Sequence, residues 1–432
     1  MICSNLSVSF DGHLLFAGQD TVSLANEYGT PLYLMDEARI RERCRTYLDA
    51  VNEAFAGNAK VLYASKAASF KRIYEIMREE GMGTDVVSMG EIYTAKRAGF
   101  DLSKAYFHSN NKTDEDVAYA MDNGVGHFVV DNAEELYAIE REAEKRGIEQ
   151  AVLLRLTPGI DPHTYAAIST GKVDSKFGSA IETGQALEIT KVALSLSHVK
   201  LLGFHCHVGS QVFDSDVYIR ASSVMLQFIS TVKDKLGFEA VELDIGGGYG
   251  VRYTEDDPTI DIRANIFEVA KHMQKCADEL GITMPCVCFE PGRSIVADAG
   301  LTLYTVGTIK DIPGYKTYVS VDGGMTDNIR HALYGAPYTF YAADNMNAEC
   351  DMECSVVGRC CESGDIVGEN VKLPLDTKRG TILACLTTGA YHYSMASNYN
   401  RVPKPPVVML SEGKSYIAVK RETPEDVASL DV

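Results

Sequence analysis

The sequence has no apolar run approaching the roughly 20 residues needed to span a bilayer, so no membrane-spanning helix is expected. Residues 1–20 lack a basic start and carry Asp11, His13 and Gln19, so no secretory signal is expected there. No CxxC pair recurs with a matching His or Cys pair, which removes the usual zinc patterns, and no metal is expected. The eleven cysteines, an odd number, fit reduced thiols in a cytoplasm, most of them serving as small core residues. Positive charge is scarce as well: 41 Lys and Arg against 60 Asp and Glu leave a net charge of −19. Such a surface repels nucleic acid and anionic membrane, although a local cluster of arginines can still grip a small acidic substrate. There is no low-complexity linker. What remains is an ordinary soluble composition, 46% hydrophobic and 23% charged, in a chain of 432 residues. That length suits one large domain and a smaller one.

From Asp36 onward, short apolar runs alternate with amphipathic stretches. The runs are 61–64, 84–87, 105–108, 127–130, 152–156, 201–207, 241–245 and 286–289. Helical patterns lie between them. Asp131-Asn132 opens a stretch with Leu136, Ile139 and Ala143 on one face, and Gly147 closes it. Asp36 caps a second one that carries Ile40, Cys44, Tyr47 and Leu48. Eight strand–helix units predict a closed (β/α)₈ TIM barrel over residues 36–302, with a doubly wound open sheet as the competing layout. Beyond about residue 303 the segments 303–309, 316–321, 354–357, 381–386 and 416–419 read as strands joined by turns. Residues 1–35 read the same way, through 6–10, the turn at Asp11-Gly12, 14–16 and 31–34. Residues 1–35 and 303–432 are therefore expected to form one all-β domain, a sandwich or barrel, beside the TIM barrel.

A barrel of this kind builds its active site at the C-terminal ends of its strands, so the residues that follow each run matter most. Ser65-Lys66 follows the first. Asp85 lies inside the second, and Ser88-Met89-Gly90-Glu91 follows it. The sixth ends in His205-Cys206-His207-Val208-Gly209-Ser210, the seventh leads into Gly246-Gly247-Gly248, and the eighth into Glu290-Pro291-Gly292-Arg293. Three glycines at a strand end expose backbone N–H groups that can cradle a phosphate, and Gly209-Ser210 adds an N–H and a hydroxyl. A tight turn is the plainer account of such glycines. Lys66 is a candidate Schiff-base amine if its neighbours keep it partly desolvated, and otherwise an ordinary surface lysine. Glu290 after an apolar run needs a cationic partner to stay charged. His207 can lie against an aromatic ring or be a satisfied core histidine.

Taken together, Tyr63-Ala64-Ser65-Lys66-Ala67, His205-Cys206-His207-Val208-Gly209-Ser210, the glycine triplet and Glu290-Pro291-Gly292-Arg293 resemble the alanine-racemase-like class of pyridoxal-phosphate enzymes, and within it the group II decarboxylases. The resemblance covers nearly the whole chain. Asp174-Ser175-Lys176-Phe177-Gly178, Asp327-Asn328-Ile329-Arg330, Leu333-Tyr334-Gly335, Cys361-Glu362-Ser363-Gly364-Asp365 and Gly389-Ala390-Tyr391 narrow it to the diaminopimelate decarboxylase family. It implies pyridoxal 5'-phosphate as cofactor and conversion of meso-2,6-diaminopimelate, at its D-centre, to L-lysine and CO2. Lys66 would hold the cofactor as a Schiff base and Glu290 would pair with its ring nitrogen. His207 would stack on the ring. Ser210, Gly246, Gly247, Gly248, Gly292, Arg293 and Tyr391 would bind the phosphate, with Asp85, Gly209 and Pro291 bordering the cofactor. Arg293, Arg330 and Tyr334, with Tyr391, would grip the substrate's distal carboxylate, and Glu362 its distal ammonium. Cys361 would protonate the carbanion, since a free thiol is largely protonated at neutral pH. By the same analogy Cys361 and Glu362 act across a homodimer with shared active sites.

Three positions depart from the family pattern: Arg359-Cys360 where Pro-Ile is frequent, His331 where a proline is common, and Ala68 where asparagine is. They leave Cys360 as a rival to Cys361. Other readings share parts of this pattern. A decarboxylase of ornithine, arginine or carboxynorspermidine would use the same cofactor machinery with a different distal end. A racemase would need a tyrosine opposite the lysine, and a non-catalytic cofactor-binding homologue would usually lack the lysine or the cysteine. A lid over the site is expected from residues 164–170.

Overall fold

The computed structural model describes residues 1–160 and 176–432. The expected lid, 164–170, and Asp174 and Ser175 lie outside the described residues. The chain divides into two compact units. One comprises Arg43–Gly250 and Thr259–Ser294, the other Met1–Glu42, Val251–Pro258 and Ile295–Val432.

In the first unit all eight apolar runs are strands: β1 Ala59–Ala64, β2 Gly83–Val86, β3 Ala105–Phe107, β4 His127–Val130, β5 Gln150–Thr157, β6 Val199–His205, β7 Glu242–Asp244 and β8 Cys286–Phe289. Each pairs in parallel with the next, and β8 returns to β1, so the barrel closes. The strands are buried on both faces, which is why they read as continuous apolar runs rather than as alternation. A two-residue strand, Ser179–Ala180, pairs with β5 outside the ring. Four runs overshoot the ladder at its C-terminal end: Val87, His108, His207 and Ile245 lie just past their last paired residues. These are rim positions, where the chain leaves the sheet and a side chain can serve a site.

Caps set the helices between strands. Asn132 accepts from the Glu135 N–H, and Gly147 closes the helix Ala133–Arg146 in the left-handed conformation, with Leu136, Ile139 and Ala143 buried. Asp36 accepts from the Arg39 N–H at 3.1 Å at the start of the helix Glu37–Ala54. Among the described residues no helix is long and apolar enough to cross a membrane.

The second unit is built on β-sheet, as expected. Leu32–Asp36 lies between Gly300–Ile312 and Val407–Ser411, so an N-terminal strand is interior to a sheet whose other strands come from beyond residue 300. Gly300–Ile312 is long enough to change partners: its first half pairs with Leu32–Asp36 and Ile382–Leu386, its second with Lys316–Val321. Leu32 and Leu34, Leu301 and Leu303, Ala384 and Leu386, and Val408 and Leu410 share one core, each pair two residues apart on its strand. The N-terminal segment departs from the expectation in one element. Thr21–Tyr28 is a helix, started by the Asp20 carboxylate, which accepts from the N–H groups of Val22 and Ser23, and ended at Gly29. Leu24 and Ala25 on its inner face join the core above.

Candidate active site

The barrel rim is held by hydrogen bonds between consecutive strand ends. After β1 a single turn, Ser65–Ala67, carries Lys66, and the Ser65 N–H donates to the Asp85 carboxylate at 2.7 Å. Asp85 is 3% exposed and serves as the anchor of that turn. Lys66 itself is exposed, so the turn that carries it does not desolvate the amine. The Ala64 N–H donates to the Pro291 carbonyl, which ties β1 to the loop after β8.

The glycine triplet follows β7. The Gly246 N–H donates to Asp244 Oδ1 at 2.7 Å, and the Gly246 carbonyl accepts from the Glu290 N–H at 2.9 Å. A Cβ on Gly247 would stand 2.0 Å from the Glu290 carbonyl oxygen. One on Gly248, whose φ is +120°, would stand 2.3 Å from the Gly209 carbonyl oxygen. Only glycine permits backbones this close at that φ. Arg293 Nη2 donates to Ser210 Oγ at 2.8 Å, so the loops after β6, β7 and β8 converge. Ser210, the triplet, Gly292 and Arg293 are thereby brought together, a backbone cradle with one guanidinium and one hydroxyl, the donor set that a phosphate monoester requires.

Beside the cradle is a buried acid. Glu290 is 7% exposed; its Oε1 lies 2.6 Å from His108 Nε2 and its Oε2 lies 3.1 Å from His205 Nε2. The two imidazole rings meet at 4.9 Å with planes 70° apart. Burial alone would raise the Glu290 carboxyl, but the two histidines hold it well below the usual carboxylate range. Burial, and then the Glu290 charge, push Asp85 and Asp244 upward. Burial and the Asp85 charge lift Glu91 to about 7. His207 is partly buried, and burial followed by the Lys66 charge hold its imidazole well below its ordinary value, hence neutral. His108, His205 and Glu290 match a metal-binding set in type and spacing. In this geometry His205 Nε2 is hydrogen-bonded to the carboxylate, and His108 Nε2 lies 2.6 Å from its other oxygen without hydrogen-bond geometry.

His108 and Asp244 were not singled out from the sequence, and His205 and Glu91 were placed at the rim without a role. The signal available for two of them was position, since His108 and His205 end strands at the rim that supplies Lys66 and Glu290.

The second unit holds the remaining candidates. Arg330 is 7% exposed at the start of the helix Arg330–Tyr334. Its guanidinium lies 5.0 Å from the Tyr334 ring centre and 4.7 Å from that of Tyr391, and its Nε donates to Tyr338 Oη at 3.2 Å. Among the described residues it has no carboxylate partner. Tyr391 takes a positive φ of 74°, a strained state for a tyrosine, and in it contributes to this cage. The departure His331 is absorbed locally, its Nδ1 3.0 Å from the Ala336 carbonyl. Cys360 and Cys361 differ clearly. The Cys360 N–H donates to Asp365 at 2.7 Å, and burial with the Asp365 charge pushes its thiol up to about 11. Cys361 is exposed, with its N–H donated to Asn400 Oδ1 at 2.9 Å, and Glu362 beside it is exposed as well.

Residues 37–297 match the family model for the pyridoxal binding domain of the pyridoxal-dependent decarboxylases. The chain is 44% identical to the diaminopimelate decarboxylase of Bacillus subtilis (strain 168) over 421 residues, 98% of this chain and 95% of that one. Among solved structures, diaminopimelate decarboxylase from M. jannaschii in co-complex with L-lysine matches with a TM-score of 0.92 at 32% identity, covering 100% of this chain and 98% of that chain. The Helicobacter pylori enzyme complexed with L-lysine matches with a TM-score of 0.85 at 32% identity, over 95% of this chain and 99% of that chain. Because the likeness runs along nearly the whole length of both partners, the chain belongs to the diaminopimelate decarboxylase family, within the pyridoxal-dependent decarboxylases.

Proposed function

We propose that the protein, with pyridoxal 5'-phosphate as cofactor, removes one carboxylate from meso-2,6-diaminopimelate and yields L-lysine and CO2. The observation that carries the substrate is Arg330, a buried guanidinium caged by Tyr334 and Tyr391 with no acid of its own among the described residues. A substrate ending in a carboxylate supplies that partner, and guanidinium suits it in a bidentate grip. Ornithine ends in an amine, which the same group repels.

When bound, the cofactor supplies an electron sink for the pair left behind as the carboxylate departs. Lys66 presents the amine that tethers it, on a turn that Asp85 fixes through the Ser65 N–H. Ser210, Gly209, Gly246, Gly247, Gly248, Pro291, Gly292 and Arg293 form the phosphate cradle, with Tyr391 as a further phosphate contact. Glu290 would hold a proton on the ring nitrogen, and His207 would pack against the ring. Arg293, Arg330 and Tyr334 orient the distal carboxylate, and Glu362 the distal ammonium. The Cys361 thiol returns a proton to the substrate carbon, the exposed thiol of the adjacent pair being the one able to reach it. The reading makes the enzyme a cytoplasmic homodimer, each site completed by Cys361 of the partner subunit.

The test is to incubate the purified protein with pyridoxal phosphate and, separately, meso-diaminopimelate, ornithine and arginine. Lysine and CO2 from the first alone are expected. Turnover of ornithine or arginine instead would overturn the substrate, and failure to bind the cofactor would overturn the reading of the rim.

A further inference from the structure

The rim contains two histidines that the proposed chemistry does not use. His108 leaves the end of β3 and His205 ends β6, and both reach across to one carboxylate, His108 Nε2 to Glu290 Oε1 at 2.6 Å and His205 Nε2 to Oε2 at 3.1 Å. We infer that His108 and His205 are positioning residues, which hold the Glu290 carboxylate ionised and in one rotamer as the counter-charge for the cofactor's protonated ring nitrogen. This rests on the function proposed above and specifies which residues make Glu290 able to serve it.

The choice of partner decides the matter physically. A buried carboxylate needs hydrogen bonds or a cation to remain charged. A lysine or arginine would supply the charge from within and leave Glu290 nothing to offer a cationic ring. Neutral imidazoles donate without cancelling. His205 is 1% exposed and its Nδ1 is buried with no hydrogen-bond partner among the described residues, so a second N–H there would be stranded. The stable form therefore carries its one proton on Nε2, toward Glu290. Burial agrees, holding the His205 imidazole down to about 4 against the pull of Glu290. A carboxylate has about four acceptor positions, so these two contacts leave room for a third. His205 holds one oxygen by a hydrogen bond, and His108 Nε2 stands 2.6 Å from the other in ion-pair contact without hydrogen-bond geometry, so the carboxylate is flanked on both sides.

The experiment compares two cofactors on the full-length chain. Pyridoxal phosphate carries the ring nitrogen; 1-deazapyridoxal phosphate has C–H in its place and is otherwise alike. Dissociation constants for both are measured by absorbance or fluorescence titration for the wild type, His108→Leu, His205→Leu and the glutamine variant at each position. The wild type should prefer the nitrogen ring, and each leucine variant should lose about tenfold of that preference, the effect of one hydrogen bond to a charged group. Glutamine, a neutral donor of similar reach, should restore most of it. Should a leucine variant not fold, His108→Asn or His205→Asn, whose amide stops near the Nδ1 position, carries the same comparison. Equal weakening of both cofactors would mean that the histidines only support the fold, and would overturn the inference. A wild type that binds both cofactors without preference would also overturn it, while leaving the cofactor reading intact. A wild type that binds neither would remove that reading and the inference with it.

Discussion

Two glutamates sit in the same barrel, almost equally buried, and live by opposite rules. At the N-terminal end of β7, Glu242 is 4% exposed and accepts from Lys60 Nζ at 2.6 Å, Tyr106 Oη at 2.6 Å and Cys288 Sγ at 3.4 Å. Tyr106 is itself fixed by a parallel stack on His127 at 4.2 Å. That charge is cancelled by the protein's own cation, and the group acts as a plug. At the opposite rim Glu290 has two imidazoles beside it and, among the described residues, no lysine or arginine bonded to it, so its charge remains to be met from outside. The lysines of β1 and its following turn repeat the contrast. Lys60 spends its charge on Glu242, while Lys66, six residues on, is exposed and has no ion pair among the described residues. Burial of a charge alone does not mark a site. A buried charge that no lysine or arginine among the described residues cancels does.

The largest expected effect is at the exposed lysine. Lys66→Ala should erase the visible absorption of the bound cofactor and lower turnover by at least roughly 10³-fold, with the thermal midpoint unchanged. A persisting band would place the tether elsewhere. Cys361→Ala should keep that band and lose turnover by roughly 10²- to 10⁴-fold, the range of a missing general acid; normal steady-state rates would reassign the proton donor. At the floor the sign of the experiment reverses. Lys60→Met should lower unfolding free energy in a urea titration by about 2–3 kcal/mol, less than the ~3–5 kcal/mol of a fully buried pair. The reason is that 41% of the Lys60 side chain faces water. Cofactor affinity per folded molecule should not change, and a matched loss of affinity would dissolve the contrast. The smallest effect is one of pH. The His205 imidazole titrates at about 4 in the folded chain against 6.5 in the unfolded one, so between those values the unfolded chain binds more protons. Stability should therefore fall as pH drops from about 6.5 toward 4, and His205→Gln should flatten that part of the curve.

Much of this was legible because the barrel strands announce themselves. Buried on both faces, they are uninterrupted apolar runs, and the residues that follow them fall on one rim by topology alone. The histidine pair was not legible in the same way. His108 was counted as the last residue of a strand, and nothing in a linear sequence says that it meets Glu290, 182 positions later. The helix Thr21–Tyr28 was missed for a different reason. It is only eight residues long, two turns of helix set among short strands, too short for its apolar period to stand out. Cys361 was named through the resemblance with Cys360 as its rival, and the two differ in surroundings, since Asp365 draws Cys360 into its own turn.

The placement of Leu32–Asp36 bears on how the chain is made. The strand leaves the ribosome early, yet one of its flanking partners, Val407–Ser411, is among the later segments to be synthesised. In the interval the whole of β1 to β8 can emerge and close, since domains tend to fold as units during synthesis. Until then an apolar strand with one unpaired edge must wait, and such edges are templates for pairing with other chains. A nascent chain stalled before residue 407 would carry a finished barrel and an open sheet. Its solubility would then depend on how fast the ribosome resumes.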